Sequence, residues 1–336
     1  MNGARRCLVA LGLAASVAAS AAAQTAAGPA APAEPARDAR WAVIVSGASG
    51  GPDYAAQLAG WRKTIASALM NRFAFQPAQV LQLVDETARD SGTPATADNV
   101  RKTFVGLKGL VGKDDLVLVV LLGHGTFDGQ QAKFNLVGPD LTAADWATLL
   151  NGLPGRVVIV NTTESSAPFM DALAARGRVV ITATETAAQK YATVFADYFA
   201  KSLNDAASDL DKNGRTSIWE VFAAASSGVA RHYSERAQLT TERAVLSDTG
   251  DRAGVQATGT GPQGTMARAL YLDRDSATES ADPAVRELIS RRRALEADAA
   301  ALIQKKGDSE PAAWNAEFER LMIELARVSR QIRQRS

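Results

Sequence analysis

Five short apolar runs, separated by helical patterns, constrain the fold of this chain more than any other feature of its sequence. The runs are rich in Val, Ile and Leu and nearly continuous, which is typical of strands covered on both faces. Such strands alternating with helices predict an α/β fold with a mostly parallel sheet and helices on both sides. In sheets of this kind, sites form at the carboxyl ends of the strands. The five predicted strands are Trp41–Val45, Val80–Val84, Leu116–Leu122, Val157–Val160 and Val179–Thr182.

The helical patterns lie between or after these runs. Ala55–Asn71 follows the first predicted strand, Thr96–Leu107 precedes the third, and Ala192–Leu203 follows the fifth. The segment Thr142-Ala-Ala-Asp145 resembles a capping box and predicts the start of another helix.

The N-terminal residues predict export. Arg5 and Arg6 precede the apolar run Cys7–Ala19, and Ala21-Ala22-Ala23 supplies a small-residue cleavage site, so residues 1–23 read as a secretory signal peptide. A membrane anchor is the alternative, but the run is short for a bilayer core of about 30 Å. We therefore expect a periplasmic or secreted protein with no membrane span after signal removal. Residues 24–40 are rich in Ala and Pro and are predicted to be a linker.

Composition excludes several classes of site and partner. Cys7 is the only cysteine among 336 residues, and it leaves with the signal peptide. The mature chain then has no disulfide, no thiolate metal ligand and no cysteine nucleophile. A formal net charge of +1 argues against nucleic acid or acidic lipid as a partner.

The C-terminal part of the chain has a different pattern. Residues 41–255 are assigned to the α/β domain and residues 256–280 to a loop. Residues 281–336 carry apolar side chains at three- and four-residue spacing on both sides of Gly307. This pattern predicts a helical hairpin or coiled coil. The two helices either pack on each other or on the domain, or they form a dimerisation arm that makes a homo-oligomer.

The polar residues at two predicted strand ends are candidates for chemistry. His124 lies between Gly123 and Gly125, directly after Leu116–Leu122, where a histidine can act as a base or hydrogen-bond donor. Another strand ends in a run of hydroxyl side chains, which can be nucleophiles if a base activates them. The alternative is that these hydroxyls cap the next helix, which Pro168 would help to start. The hydroxyl residues are Thr162, Thr163, Ser165 and Ser166.

Residues 209–220 match a twelve-residue EF-hand-like calcium loop. Oxygen ligands are expected from the side chains at loop positions 1, 3, 5, 9 and 12 and from the backbone carbonyl at position 7, with Gly214 at position 6. Helical patterns flank the loop, the second of them at Trp219–His232. Thr216 departs from the usual apolar residue at position 8, and a polar loop without a metal is the alternative. The predicted ligand positions are Asp209, Asp211, Asn213, Arg215, Ser217 and Glu220.

Taken together, these motifs resemble the legumain-like (asparaginyl endopeptidase) branch of the caspase-like cysteine proteases. The resemblance covers residues 41–251: the first strand running into Tyr54, the Gly-His-Gly turn, the stretch Asn161–Ser166, and a strand ending in Ala-Thr at Thr184. It implies a three-layer caspase-like fold, with His124 as the catalytic histidine and backbone amides that form an oxyanion hole. The catalytic cysteine of that family falls on Thr163. An alcohol is a much weaker nucleophile than a thiolate.

Three hypotheses follow from this departure. The leading one is an exported pseudoprotease that binds a peptide or protein partner near His124. The second is a peptide hydrolase in which His124 activates Thr163 or Ser165. The third is a structural periplasmic component that assembles through the C-terminal helices.

Overall fold

The computed structural model of the protein describes residues 39–85, 92–259, 263–274, 282–304 and 310–335. The predicted signal peptide and all but two residues of the predicted linker lie outside the described residues. Ala39 and Arg40, which the sequence assigned to the linker, are buried, and the first strand begins at Arg40. Among the described helices, none is both long enough and apolar enough to cross a membrane.

Seven strands form the main sheet, in the order β3-β2-β1-β4-β8-β9-β10. All neighbouring strands are parallel except β9 and β10, which are antiparallel. Three short strands, β5, β6 and β7, form a separate antiparallel sheet. The strands are β1 Arg40–Ser46, β2 Val80–Val84, β3 Thr93–Pro94, β4 Leu116–Leu122, β5 Gly125–Phe127, β6 Ala132–Phe134, β7 Leu141–Thr142, β8 Arg156–Asn161, β9 Arg178–Thr182 and β10 Val245–Ser247.

Helices cover both faces of the main sheet. Every residue of the central strand β4 is buried. Because side chains alternate along a strand, Leu118 and Val120 pack with one helical layer, while Val117 and Val119 pack with the other. The helices are α1 Pro52–Asn71, α2 Ala97–Lys108, α3 Ala143–Asn151, α4 Phe169–Leu173, α5 Phe195–Asn204, α6 Ile218–Glu235, α7 Thr265–Ala269, α8 Pro283–Gln304 and α9 Pro311–Arg335.

The predicted α/β fold class is confirmed. The chain has a mostly parallel main sheet between helical layers. The Thr142 capping box also forms: Thr142 Oγ1 accepts from the Asp145 N–H, and the Asp145 carboxylate accepts from the Thr142 N–H. The sequence did not predict β10 or the small sheet. Helix α7 lies inside the segment 256–280 that was expected to be a loop.

The C-terminal helices α8 and α9 pack against each other. Their shared apolar side chains include Ile289 and Leu295 on α8 and Leu321 and Val328 on α9. The Trp314 indole N–H donates to the Leu302 carbonyl and ties the start of α9 to α8. The described parts of these helices therefore form the hairpin that the apolar spacing indicated.

Candidate functional site

His124 lies at the carboxyl edge of the main sheet, between the end of β4 and the start of β5. Gly123, which precedes it, has φ +143, and a Cβ there would lie 3.3 Å from the Gly47 backbone nitrogen. The His124 carbonyl accepts from the Asn135 N–H at 3.0 Å. A glycine before the histidine therefore allows β4 to turn tightly against the end of β1 and places the imidazole at the sheet edge.

Two side chains orient the His124 imidazole. Its Nδ1 lies 3.0 Å from Glu164 Oε1, and the Tyr54 ring packs on it with centroids 4.5 Å apart. The Tyr54 hydroxyl donates to the Gly123 carbonyl at 3.4 Å. Burial, together with the Glu164 carboxylate, raises the pKa of the Tyr54 hydroxyl well above its usual range. The His124 side chain is 40% exposed, so part of the ring is open to a ligand.

Thr163 is buried beneath the start of β5. Its exposed fraction is 0%, and Oγ1 has no hydrogen-bond partner in the described part of the chain. A Cβ on Gly125 would lie 2.5 Å from this oxygen, so the hydroxyl is packed directly against the Gly125 backbone. The Thr163 N–H donates to Asn161 Oδ1 at 3.1 Å. The structure thus brings Thr163 next to Gly125 without a hydrogen bond to His124.

The other hydroxyl residues of this stretch are also buried. Thr162 Oγ1 donates to the Leu121 carbonyl, and the hydroxyls of Ser166 and Thr184 hydrogen-bond to each other. Ser165 is buried. The alternative that these groups cap the next helix is wrong, because the N-cap of α4 is Pro168 and no side chain caps this helix.

A cleft of about 510 Å³ lies beside the His124 turn, at the carboxyl ends of β1 and β2. Within it, the nearly buried Asp85 accepts from the Ser49 N–H at 2.9 Å. Asn135 connects the cleft to the histidine, because its carbonyl accepts from Ala48 while its N–H donates to His124. The cleft is lined by Ala48, Ser49, Gly50, Gly51, Pro52, Asp85, Leu136, Val137 and Gly138.

The loop 209–220 gathers three carboxylates at one point. One oxygen each from Asp209, Asp211 and Glu220 lie within 4.8 Å of one another. Gly214 has φ +85, the left-handed conformation that suits the glycine at loop position 6. Helix α6 begins at Ile218 with Ser217 as N-cap, and Glu220 is the third helical residue. The loop therefore offers an all-oxygen donor set that fits Ca²⁺.

The loop is also held together by its own hydrogen bonds. Glu220 accepts from the backbone N–H groups of Leu210 and Ser217, each at 2.8 Å. Asn213 donates its backbone N–H to Asp209 at 3.1 Å, and the Arg215 N–H donates to Asn213 Oδ1 at 2.8 Å. Burial, together with the nearby Glu220 carboxylate, raises the pKa of Asp211 to about 6. Negative charge is thus concentrated in the loop.

Comparison with known proteins finds only remote similarity to solved structures. No family model matches the chain, and no curated protein matches it. The Drosophila initiator caspase Dronc is similar at 12% identity and a TM-score of 0.42, over 65% of this chain and 82% of that chain. Protein GSU0716 from Geobacter sulfurreducens is similar at 14% identity and a TM-score of 0.39, over 65% of this chain and 97% of that chain. Neither similarity assigns an activity to this chain.

Sequence reasoning located His124 but not the residues that hold it. Glu164 and Tyr54 both lie in motifs that carry the family resemblance, but their contacts with His124 were not predicted. For Glu164 a signal existed, because it follows a strand expected to neighbour β4. Asp85 and the cleft were also missed, since a single aspartate after a strand is not informative by itself.

Proposed function

We propose that this is an exported, non-catalytic caspase-like protein, periplasmic or secreted, that binds a peptide or protein segment at the carboxyl edge of its sheet. One observation carries the proposal: the Thr163 hydroxyl, which the family resemblance places at the nucleophile position, is fully buried and has no hydrogen-bond partner among the described residues. A hydroxyl nucleophile needs a base within hydrogen-bond reach. The nearest histidine in the motif, His124, is instead paired with Glu164.

The carboxyl edge of the sheet has two features that could bind a ligand, the His124 ring and the neighbouring cleft. The half-exposed His124 ring can exchange hydrogen bonds with a peptide group through Nε2, since Nδ1 is paired with Glu164. The neighbouring cleft has an apolar wall at Leu136 and Val137 and a carboxylate at Asp85. Ligand sites are commonly concave and mostly apolar with a few fixed polar groups. A peptide lying across both features would contact His124 and the cleft together.

A peptide library tests the proposal by measuring both binding and cleavage. The mature protein is incubated with the library, bound peptides are recovered, and all peptides are analysed for cleavage by mass spectrometry. We expect binding without cleavage, and weaker binding in His124→Ala. Cleavage that His124→Ala abolishes would replace the proposal with the hydrolase hypothesis, and Thr163→Val and Ser165→Ala would then identify the nucleophile.

Replacing Thr163 by valine is expected to stabilise the protein. Valine has nearly the same shape but removes a buried hydroxyl that has no partner. Leaving such a group buried costs about 1–3 kcal/mol, so the free energy of unfolding should rise by about 1 kcal/mol or more. Urea denaturation measures the change, and Thr162→Val is the matched control. That control should destabilise, because the Thr162 hydroxyl donates to the Leu121 carbonyl. A loss of stability in Thr163→Val would mean that its hydroxyl has a partner.

We further propose that the loop 209–220 binds Ca²⁺. The clustered carboxylates, the position of Gly214 and the start of α6 support this proposal. Asp209, Asp211, Asn213, Ser217 and Glu220 would supply side-chain oxygens, and Arg215 its backbone carbonyl.

Calcium is expected to raise the melting temperature of the protein, because a ligand that binds only the folded state stabilises by about 2.7 kcal/mol at one hundred times its dissociation constant. Glu220→Gln keeps the size of the side chain but removes one negative charge, so it should lose most of the calcium-dependent shift. Asp197→Asn, which removes a partly exposed carboxylate on α5 outside the loop, is the control. Equal melting temperatures with calcium and with a chelator would contradict the proposal.

Assembly through the C-terminal hairpin also stays a proposal. The apolar side chains of Met322 and Ile323 on α9 are partly exposed, which supports a second copy of the chain as a partner. Light scattering of wild type and Ile323→Glu tests it. We expect a dimer that the variant dissociates, and a wild-type monomer would overturn this proposal.

A further inference from the structure

Three ligand positions of the loop 209–220 make a second contact, with the segment that leads into the C-terminal hairpin. The Asn213 side-chain amide donates to the Tyr271 hydroxyl at 3.4 Å. Ser217 forms an antiparallel bridge with Tyr271. The Arg215 guanidinium lies 3.6 Å from the centre of the Tyr271 ring. The atoms expected to hold the ion and the atoms that hold Tyr271 therefore belong to the same residues.

Arg215 also reaches the hairpin itself. Its Nη1 lies 3.5 Å from Glu296 Oε2 on α8, and the two side chains are only 11% and 20% exposed. Arg292 of α8 lies 3.5 Å from the other Glu296 oxygen. A guanidinium that is both stacked and ion-paired is held in a narrow range of positions. Because loop position 7 binds calcium through its backbone carbonyl, the Arg215 side chain stays available for this contact.

We propose that cation binding in the loop and docking of α8 on the α/β domain are coupled through Arg215. The inference rests on the proposed calcium site. A bound ion would fix the backbone at Arg215 and the side chains of Asn213 and Ser217, the same residues that contact Tyr271 and Glu296. Coupling of two binding events is reciprocal, so docking of α8 raises calcium affinity by the factor by which calcium favours docking.

Hydrogen exchange of the full mature chain tests the coupling. Backbone amides of α8 should exchange more slowly with calcium than with a chelator. In Arg215→Ala and Glu296→Gln this calcium dependence should disappear. Calorimetric titration should also show weaker calcium binding in Glu296→Gln, by about fivefold or more, the lower range of typical allosteric couplings.

Glu324→Gln on α9 is the matched control. It removes the same charge from the hairpin, where Glu324 pairs with Arg291 and Arg320 and not with the loop. We expect wild-type calcium affinity and wild-type protection of α8 in this variant. Calcium binding without any change in α8 exchange would overturn the coupling and leave the calcium site standing. Absence of calcium binding to the wild type would overturn both. Equal weakening of calcium binding in Glu296→Gln and Glu324→Gln would show that any loss of negative charge from the hairpin has the same effect. This result would also overturn the coupling.

Discussion

Replacing Gly47 by alanine is expected to destabilise the protein by about 2–4 kcal/mol, at or above the usual cost of overpacking. A Cβ at this position would lie 2.2 Å from the Asn135 carbonyl oxygen and 3.0 Å from the Phe134 ring. The first contact is with backbone, which cannot rotate away. The Phe134 ring is fully buried beneath the small sheet. The substitution must therefore move Asn135, which directly follows β6, away from the end of β1.

The same substitution is expected to displace the candidate site. Asn135 hydrogen-bonds to both Ala48 and His124, so its movement would loosen the turn that holds the imidazole. Urea denaturation measures the stability, and the imidazole NMR signals of His124 report its environment. Gly51→Ala is the control, because it lies in the same loop with nothing within 4 Å of its added Cβ. Equal denaturation midpoints for the two variants would show that the Gly47 contact relaxes at little cost.

The main sheet could be predicted because its strands are buried on both faces. The sequence of β4 is an unbroken apolar run, as expected for a strand buried on both faces. The helix that begins after Thr142 is indicated by Thr142 and Asp145, which are only three residues apart. The small sheet β5–β7 could not be predicted, because strands of two or three residues contain too few positions to show periodicity. Sequence patterns therefore predicted the elements that are determined by residues close together in the chain.

The state of the candidate site depends on contacts distant in sequence. The motif placed Thr163 at a strand end, but its burial results from the packing of Gly125 over it, and Gly125 lies far from it in the sequence. The His124–Glu164 pair likewise joins residues 40 positions apart. The loop 209–220 is the opposite case, since all its predicted ligand positions fall within 12 consecutive residues. Three of their carboxylates lie close together. Nothing in the loop pattern indicated that Arg215 would reach α8.

Replacing Glu242 by alanine is expected to destabilise the protein by about 3 kcal/mol or more. The Glu242 carboxylate is buried and accepts from the backbone N–H groups of Val194 and Phe195, at the start of α5, and from the Tyr233 hydroxyl. Each buried donor left without an acceptor costs about 1–3 kcal/mol. The side chain of the N-cap residue Val194 is apolar and could not accept these hydrogen bonds in place of Glu242. Urea denaturation measures the loss, and Glu235→Ala, an exposed glutamate at the end of α6, is the control.

Because the Glu242 carboxyl titrates, its contribution to the free energy of unfolding should depend on pH. Burial, which outweighs its hydrogen bonds, raises the pKa of this carboxyl in the folded protein. A raised folded-state pKa adds stability that is fully present below the unfolded pKa of about 4.3 and is lost as pH rises through the folded pKa. The stability of the wild type relative to Glu242→Gln should therefore increase as pH falls from neutral towards 4, because glutamine does not titrate. A difference that shrinks on acidification would show that the hydrogen bonds dominate and that the folded pKa is lowered. In that case the carboxylate would act as a charged cap for α5, and the loss of stability in Glu242→Ala would be largest at neutral pH.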